Sequence, residues 1–215
     1  MSDIGRIIER PLPSHPDNEI LKTIGRLDWL KFPGSDSHAA WIAGGSVLKL
    51  AMGHTVFGDS DLDVFLFDCD RKLDIGVLLT QDQKITHYSD NLNTVQYKYL
   101  AKEFPSIHYE TIQVILRRSF DSLESLFNDF DFTCCMFATD GKTIAGPQQA
   151  WDDLESKTLR LHYSNEGRKT IMRVKKYTAL GFEPAPGLMS KLFENLSGFE
   201  IDKKSGCIRN DDVNY

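Results

Sequence analysis

A short apolar strand that opens on two carboxylates is the most demanding feature of this 215-residue chain. Val64, Phe65, Leu66 and Phe67 are strand-favouring and apolar, so Leu62 to Phe67 reads as a buried strand, with Asp61 and Asp63 at its start. Successive strand side chains point to opposite faces. The two carboxylates therefore share a face, about 6–7 Å apart along the strand. Two like charges beside an apolar strand are unfavourable unless a cation neutralises them or one takes up a proton. Carboxylate oxygens with few nitrogen or sulfur donors nearby favour a hard ion, Mg²⁺ or Mn²⁺.

Upstream, Ala40 to Ala43 reads as a strand that delivers the chain to Gly44-Gly45-Ser46. Glycines let a backbone approach a ligand closely. The segment from Ser46 to Gly53, with Val47, Leu48, Leu50 and Ala51, reads as a helix whose first amides suit phosphate. Ser46 can bond a phosphate through its hydroxyl, cap the helix, or do both. The competing reading is a Gly-Gly turn followed by an acidic loop, Asp59 to Asp63, that keeps a sheet edge soluble.

A formal charge of −6 argues against a broad DNA-binding surface, though not against a local basic cleft. No apolar run approaches the roughly 18–20 residues that span a bilayer, and the first residues lack the apolar core of a signal peptide. A cytoplasmic protein without membrane contact is the expectation. Cys69, Cys134, Cys135 and Cys207 show no paired ligand spacing and read as reduced thiols. The six histidines are scattered, which gives zinc chemistry little support.

A helix is expected over residues 20–30, ended by Pro33-Gly34, and another over 73–79. Strands are expected over 84–88, 94–100 and 107–116, then a helix over 119–130. A further strand is expected to start at Asp131 and to include Phe132, Cys134, Met136 and Phe137. A basic helix capped by Ser164 or Asn165 ends at Gly181, and a short one covers 188–196 before a polar tail. The chain divides on this reading into a core over 1–160 and a C-terminal helical segment over 161–215.

Gly-Gly-Ser, fourteen residues, and then Asp-Leu-Asp in a hydrophobic strand resembles the signature of the DNA polymerase β-like nucleotidyltransferase superfamily. Ile112-Gln113-Val114-Ile115, Phe130-Asp131-Phe132-Thr133-Cys134, Thr139-Asp140-Gly141-Lys142, Trp151-Asp152-Asp153-Leu154 and Arg173-x-x-Lys176-Tyr177-x-x-x-Gly181-Phe182 resemble a group of nucleotidyltransferase-like domains. Asp-Phe-Thr is also similar to a segment of CCA-adding enzymes, but the sequence departs from them where an Arg-Arg pair would precede the Asp. Here Asp129-Phe130 stands before Asp131.

The resemblance implies an α+β fold: a nucleotidyltransferase fold with a mixed sheet backed by helices and a C-terminal helical portion. It implies a third carboxylate from a later neighbouring strand, acting as metal ligand and as base for the acceptor hydroxyl. Asp131 matches that position, and Asp129 is its rival. Lys169, Arg173 and Lys176 recur at i, i+4 and i+7 and share one helix face, with Ile171, Val174 and Thr178 elsewhere on the helix able to meet the core. Arg173 and Lys176 suit the triphosphate. Arg117 and Arg118 read as loop-end residues more readily than as phosphate contacts.

The function so implied is transfer of a nucleoside monophosphate from an NTP to an acceptor hydroxyl, with pyrophosphate released. Gly44, Gly45 and Ser46 orient the phosphates, Asp61, Asp63 and Asp131 hold two Mg²⁺ or Mn²⁺ ions, and the acceptor is a small molecule, an RNA end or a protein. The alternative is an inactive module with the same fold, used for protein or RNA binding.

Overall fold

The computed structural model describes residues 4–13, 40–54, 61–67, 85–90, 93–102, 107–163 and 167–197. The helices expected over 20–30 and 73–79, the acidic loop before Asp61 and the polar tail lie outside them. Among the described residues, no helix is long and apolar enough to cross a membrane.

The architecture is α+β. The strands β1 (Ile7–Pro11), β2 (Ala40–Ala43), β3 (Leu62–Leu66), β4 (Ile85–Asp90), β5 (Thr94–Lys102), β6 (Ile107–Ile115), β7 (Ala138–Thr139) and β8 (Thr143–Pro147) form one sheet. Its order is β1-β8-β7-β2-β3-β6-β5-β4. The β3–β6 pair is parallel and the other pairs are antiparallel, so the sheet is mixed. Helices α1 (Gly45–Ala51), α2 (Leu123–Phe127), α3 (Gln148–Glu155), α4 (Gly167–Ala179) and α5 (Leu188–Ser197) accompany it. Strands β9 (Thr158–Leu159) and β10 (Glu183–Pro184) pair in parallel on either side of α4, which ties the start and end of that helix together.

The alternation in β3 decides which way its carboxylates face. Leu62, Val64 and Leu66 are buried in the core with their register partners Ile112 and Val114. Asp63 and Phe65 turn the other way and are half-buried. On that face Phe65 packs edge-on against Phe120 and Phe130, so the acid end of the strand is bounded by aromatic rings.

One expected strand is replaced. From Asp131 the chain enters a short 3-10 helix, Thr133–Cys135, and Phe132 makes only an isolated antiparallel bridge to Leu161. Residues 131–139 are all buried, so the alternation of large side chains there reflects burial on every side. Cys135 donates its thiol hydrogen to the Phe132 carbonyl at 3.0 Å, and Thr133 bonds Asp153, which also pairs with Arg160. Cys134 and Cys135 are free and buried. Helix α3 closes over this turn, where Trp151 meets Phe137 edge-on and donates to the Ile8 carbonyl.

Candidate functional site

Three segments far apart in sequence meet at the N-terminal end of β3. The first is β3 itself. Asp61 is exposed just before the strand, and its Oδ2 accepts a 2.7 Å hydrogen bond from Gln113 Nε2. Gln113 lies on β6 in register with Asp63. Burial first, and then the charge of Asp61, push the Asp63 carboxyl up to about 7, although Lys176 and Arg173 pull it partly back. Negative charge at this pair is therefore under-compensated by the protein alone.

The second segment is the turn after β2. Ala43 is in register with Asp63, which places Gly44 and Gly45 beside the carboxylates. Gly44 has φ +89°, a left-handed conformation that glycine adopts without steric cost, and its amide donates to the Phe137 carbonyl at 3.0 Å. Ser46 is 2 % exposed, and its hydroxyl is a buried side-chain polar atom with no hydrogen-bond partner among the described residues. Such a group is costly to leave unpaired.

The third is α4. A Cβ placed on Gly45 would stand 3.1 Å from Lys176 Nζ, so this ammonium lies directly against the glycine turn. One turn earlier, Arg173 Nη1 donates to Asp131 Oδ2 at 2.5 Å, and Thr170 Oγ1 donates to the same oxygen at 2.9 Å. The helix buries Thr170 and Tyr177 and half-buries Arg173 and Val174. Ile171 and Thr178 are exposed, contrary to the core face expected for them. Tyr177 packs edge-on against Phe132.

The structure thus brings Asp61, Asp63, Gly45 and Lys176 to one place, with Arg173 close enough for its charge to be felt at Asp63. Asp131 is engaged elsewhere, and among the described residues no group of three or more His, Cys, Asp or Glu side chains is gathered as a metal site. Its carboxylate is 5 % exposed and engaged by Arg173 and Thr170. The rival Asp129 is paired with Arg118 at 2.6 Å. Sequence reasoning missed Gln113 and Thr170 as members of the site. Both are uncharged, and although Gln113 lies in the Ile112-Gln113-Val114-Ile115 segment, only the strand register and the helix contacts reveal their places.

The donor set fits a hard divalent ion. Two neighbouring carboxylates at the start of β3, one steadied by an amide and the other under-compensated, offer oxygen ligands and a charge that a cation would neutralise.

Comparison with solved structures agrees on the class of fold. The crystal structure of the Bacillus stearothermophilus CCA-adding enzyme in complex with CTP matches with a TM-score of 0.51 at 19% sequence identity, covering 81% of this chain. This chain spans 42% of the length of that enzyme, so the likeness concerns the nucleotidyltransferase fold. The chain belongs to the Gad2 family, described as Gabija anti-defense 2 family protein, whose model matches residues 18–157. No curated protein sequence matches it.

Proposed function

We propose that the protein transfers a nucleoside monophosphate from an NTP to an acceptor hydroxyl in a reaction that depends on Mg²⁺ or Mn²⁺. The acceptor oxygen forms a bond to the α-phosphorus, the bond from that phosphorus to the bridging oxygen of the β-phosphate breaks, pyrophosphate leaves, and the acceptor proton passes to solvent. The observation that carries the reading is the meeting of the Asp61–Asp63 pair with the Gly44-Gly45-Ser46 turn and Lys176.

Each residue has a separate task. Asp61 and Asp63 hold the cation, which when bound supplies charge neutralisation to the triphosphate and acidity to the acceptor hydroxyl. Gln113 keeps Asp61 in one orientation by bonding one of its oxygens. Gly45 allows phosphate close to the backbone, and the unpartnered Ser46 hydroxyl offers a donor. Lys176 and Arg173 place positive charge opposite the β- and γ-phosphates and hold them as charge-assisted partners. The family description directs the search for an acceptor to the components of the Gabija defence, with a protein side chain, an RNA end and a small molecule as the candidates.

A second reading, binding of nucleotide without transfer, is favoured by the engagement of Asp131 by Arg173, which leaves two carboxylates facing the turn. Pyrophosphate release from labelled NTPs, with Mn²⁺ and with Gabija components or cell extract as acceptors, separates the two. Transfer predicts release in wild type and its loss by about 10²-fold or more in Asp61→Asn and Asp63→Asn, the scale of removing essential transition-state charge stabilisation. Nucleotide binding with no release from any NTP would favour the binding module. Wild-type Mn²⁺-dependent NTP affinity in both variants would remove the metal site from either reading.

A further inference from the structure

A carboxylate as buried as that of Asp131 has to be paired, and two side chains of α4 pair with it. Thr170 Oγ1 and Arg173 Nη1 both donate to its Oδ2, and the carbonyl of the same residue accepts the amides of His162 and Tyr163 at 2.8 and 3.2 Å. Thr170 and Arg173 are three residues apart on α4 and lie on one face. Asp131 therefore fixes the rotation of α4 about its own axis where the helix passes the sheet. That rotation decides where Lys176, one turn further on, meets Gly45.

The position across from Asp63, where a carboxylate from the neighbouring strand could join the pair, is occupied by Gln113, an amide that donates to Asp61. Asp131 reaches the site through another side chain instead. We propose that Asp131 is a positioning residue: with Thr170 it holds Arg173, and through α4 also Lys176, in place to meet the β- and γ-phosphates of a metal-bound NTP. This inference rests on the transfer reading for the identity of the ligand. A guanidinium presents five N–H donors, so the bond to Asp131 and a phosphate contact are compatible.

The test is a double-mutant cycle read by calorimetry with ATP and AMP in the presence of Mn²⁺, together with the rate of pyrophosphate release against ATP concentration. Asp131→Asn and Arg173→Ala should each weaken ATP by about 10-fold, the loss of one charge-assisted contact, and weaken AMP much less. The double variant should lose less than the two single losses combined, and the saturating rate of Asp131→Asn should stay within a few-fold of wild type. A general base gives the reverse split, with ATP affinity kept and the saturating rate down by about 10²-fold. That result would overturn the proposal, as would fully additive losses in the double variant. If Asp131→Asn does not fold, Thr170→Val leaves both charges in place: ATP affinity lowered by about 3-fold supports the proposal, and wild-type affinity overturns it. Absence of ATP binding by wild type overturns the transfer reading first, before any variant is compared, and the positioning role with it.

Discussion

Asp63 shows how a single side chain links the stability of this fold to its chemistry. Its carboxyl ordinarily titrates near 3.8 and is pushed up to about 7 by burial and by Asp61. The folded chain therefore binds a proton here that the unfolded chain releases in the window between those values. Stability from this group is greatest at the acid end and falls as pH rises through that window. For the metal-free protein, the expected outcome is a melting temperature that drops between about pH 4 and pH 7. Asp63→Asn should flatten that slope, and Mn²⁺ should raise the curve chiefly at its neutral end. Differential scanning calorimetry across pH checks all three, and a wild-type slope in Asp63→Asn would show that the titration belongs elsewhere. The same residue marks what sequence alone could deliver: Asp61 and Asp63 at a spacing of two, before an apolar run, determine their shared face, but the under-compensation needs the positions of Lys176 and Arg173 to be known.

At the scale of elements, legibility followed amphipathicity. Strand β3 announces its faces because Leu62, Val64 and Leu66 alternate with half-exposed residues. The segment after Asp131 has the same alternation of large side chains and folds as a 3-10 turn, since a segment buried on all sides gives periodicity nothing to report. Strand β1, a sheet edge with Ile7 and Ile8 as its apolar content, offers too little pattern to be seen in advance. Helix α4 was legible as a basic helix, yet its buried face runs through Thr170 and Tyr177, polar residues that a hydrophobic stripe does not flag. Its cationic side toward the glycine turn makes a prediction of its own. Lys176→Ala should weaken ATP by about 10-fold and AMP by much less, because the charge is opposite the outer phosphates. Calorimetry with the two nucleotides checks it, and equal affinities in wild type and variant would leave Lys176 as a surface cation.

Over the described residues, the core continues from the sheet into the turn beneath α3, and Gly146 is closely packed within it. A Cβ there would stand 2.7 Å from Phe137 Cδ1 and 3.0 Å from the Met136 carbonyl, against a ring held by Trp151. Gly146→Ala should cost about 1–3 kcal/mol of stability, the range for overpacking a filled core. A shift of the urea midpoint at unchanged slope would report it, and an unshifted midpoint would mean that Phe137 moves aside freely. ATP affinity in the folded fraction should stay at the wild-type level, since Gly146 lies on β8 rather than on the elements of the proposed site.

The pairing of Ile7 with Pro147 has a consequence for the order in which the chain matures. Strand β1 leaves the ribosome first among the described strands and waits for β8, so one edge of the sheet closes only when most of the chain has been made. Contacts of such wide sequence separation form late because the intervening loop entropy has to be overcome before they return anything. Helix α4 emerges later still. A nascent chain can therefore complete its sheet before Lys176 reaches Gly45, so the proposed phosphate side of the site would be assembled only after the sheet.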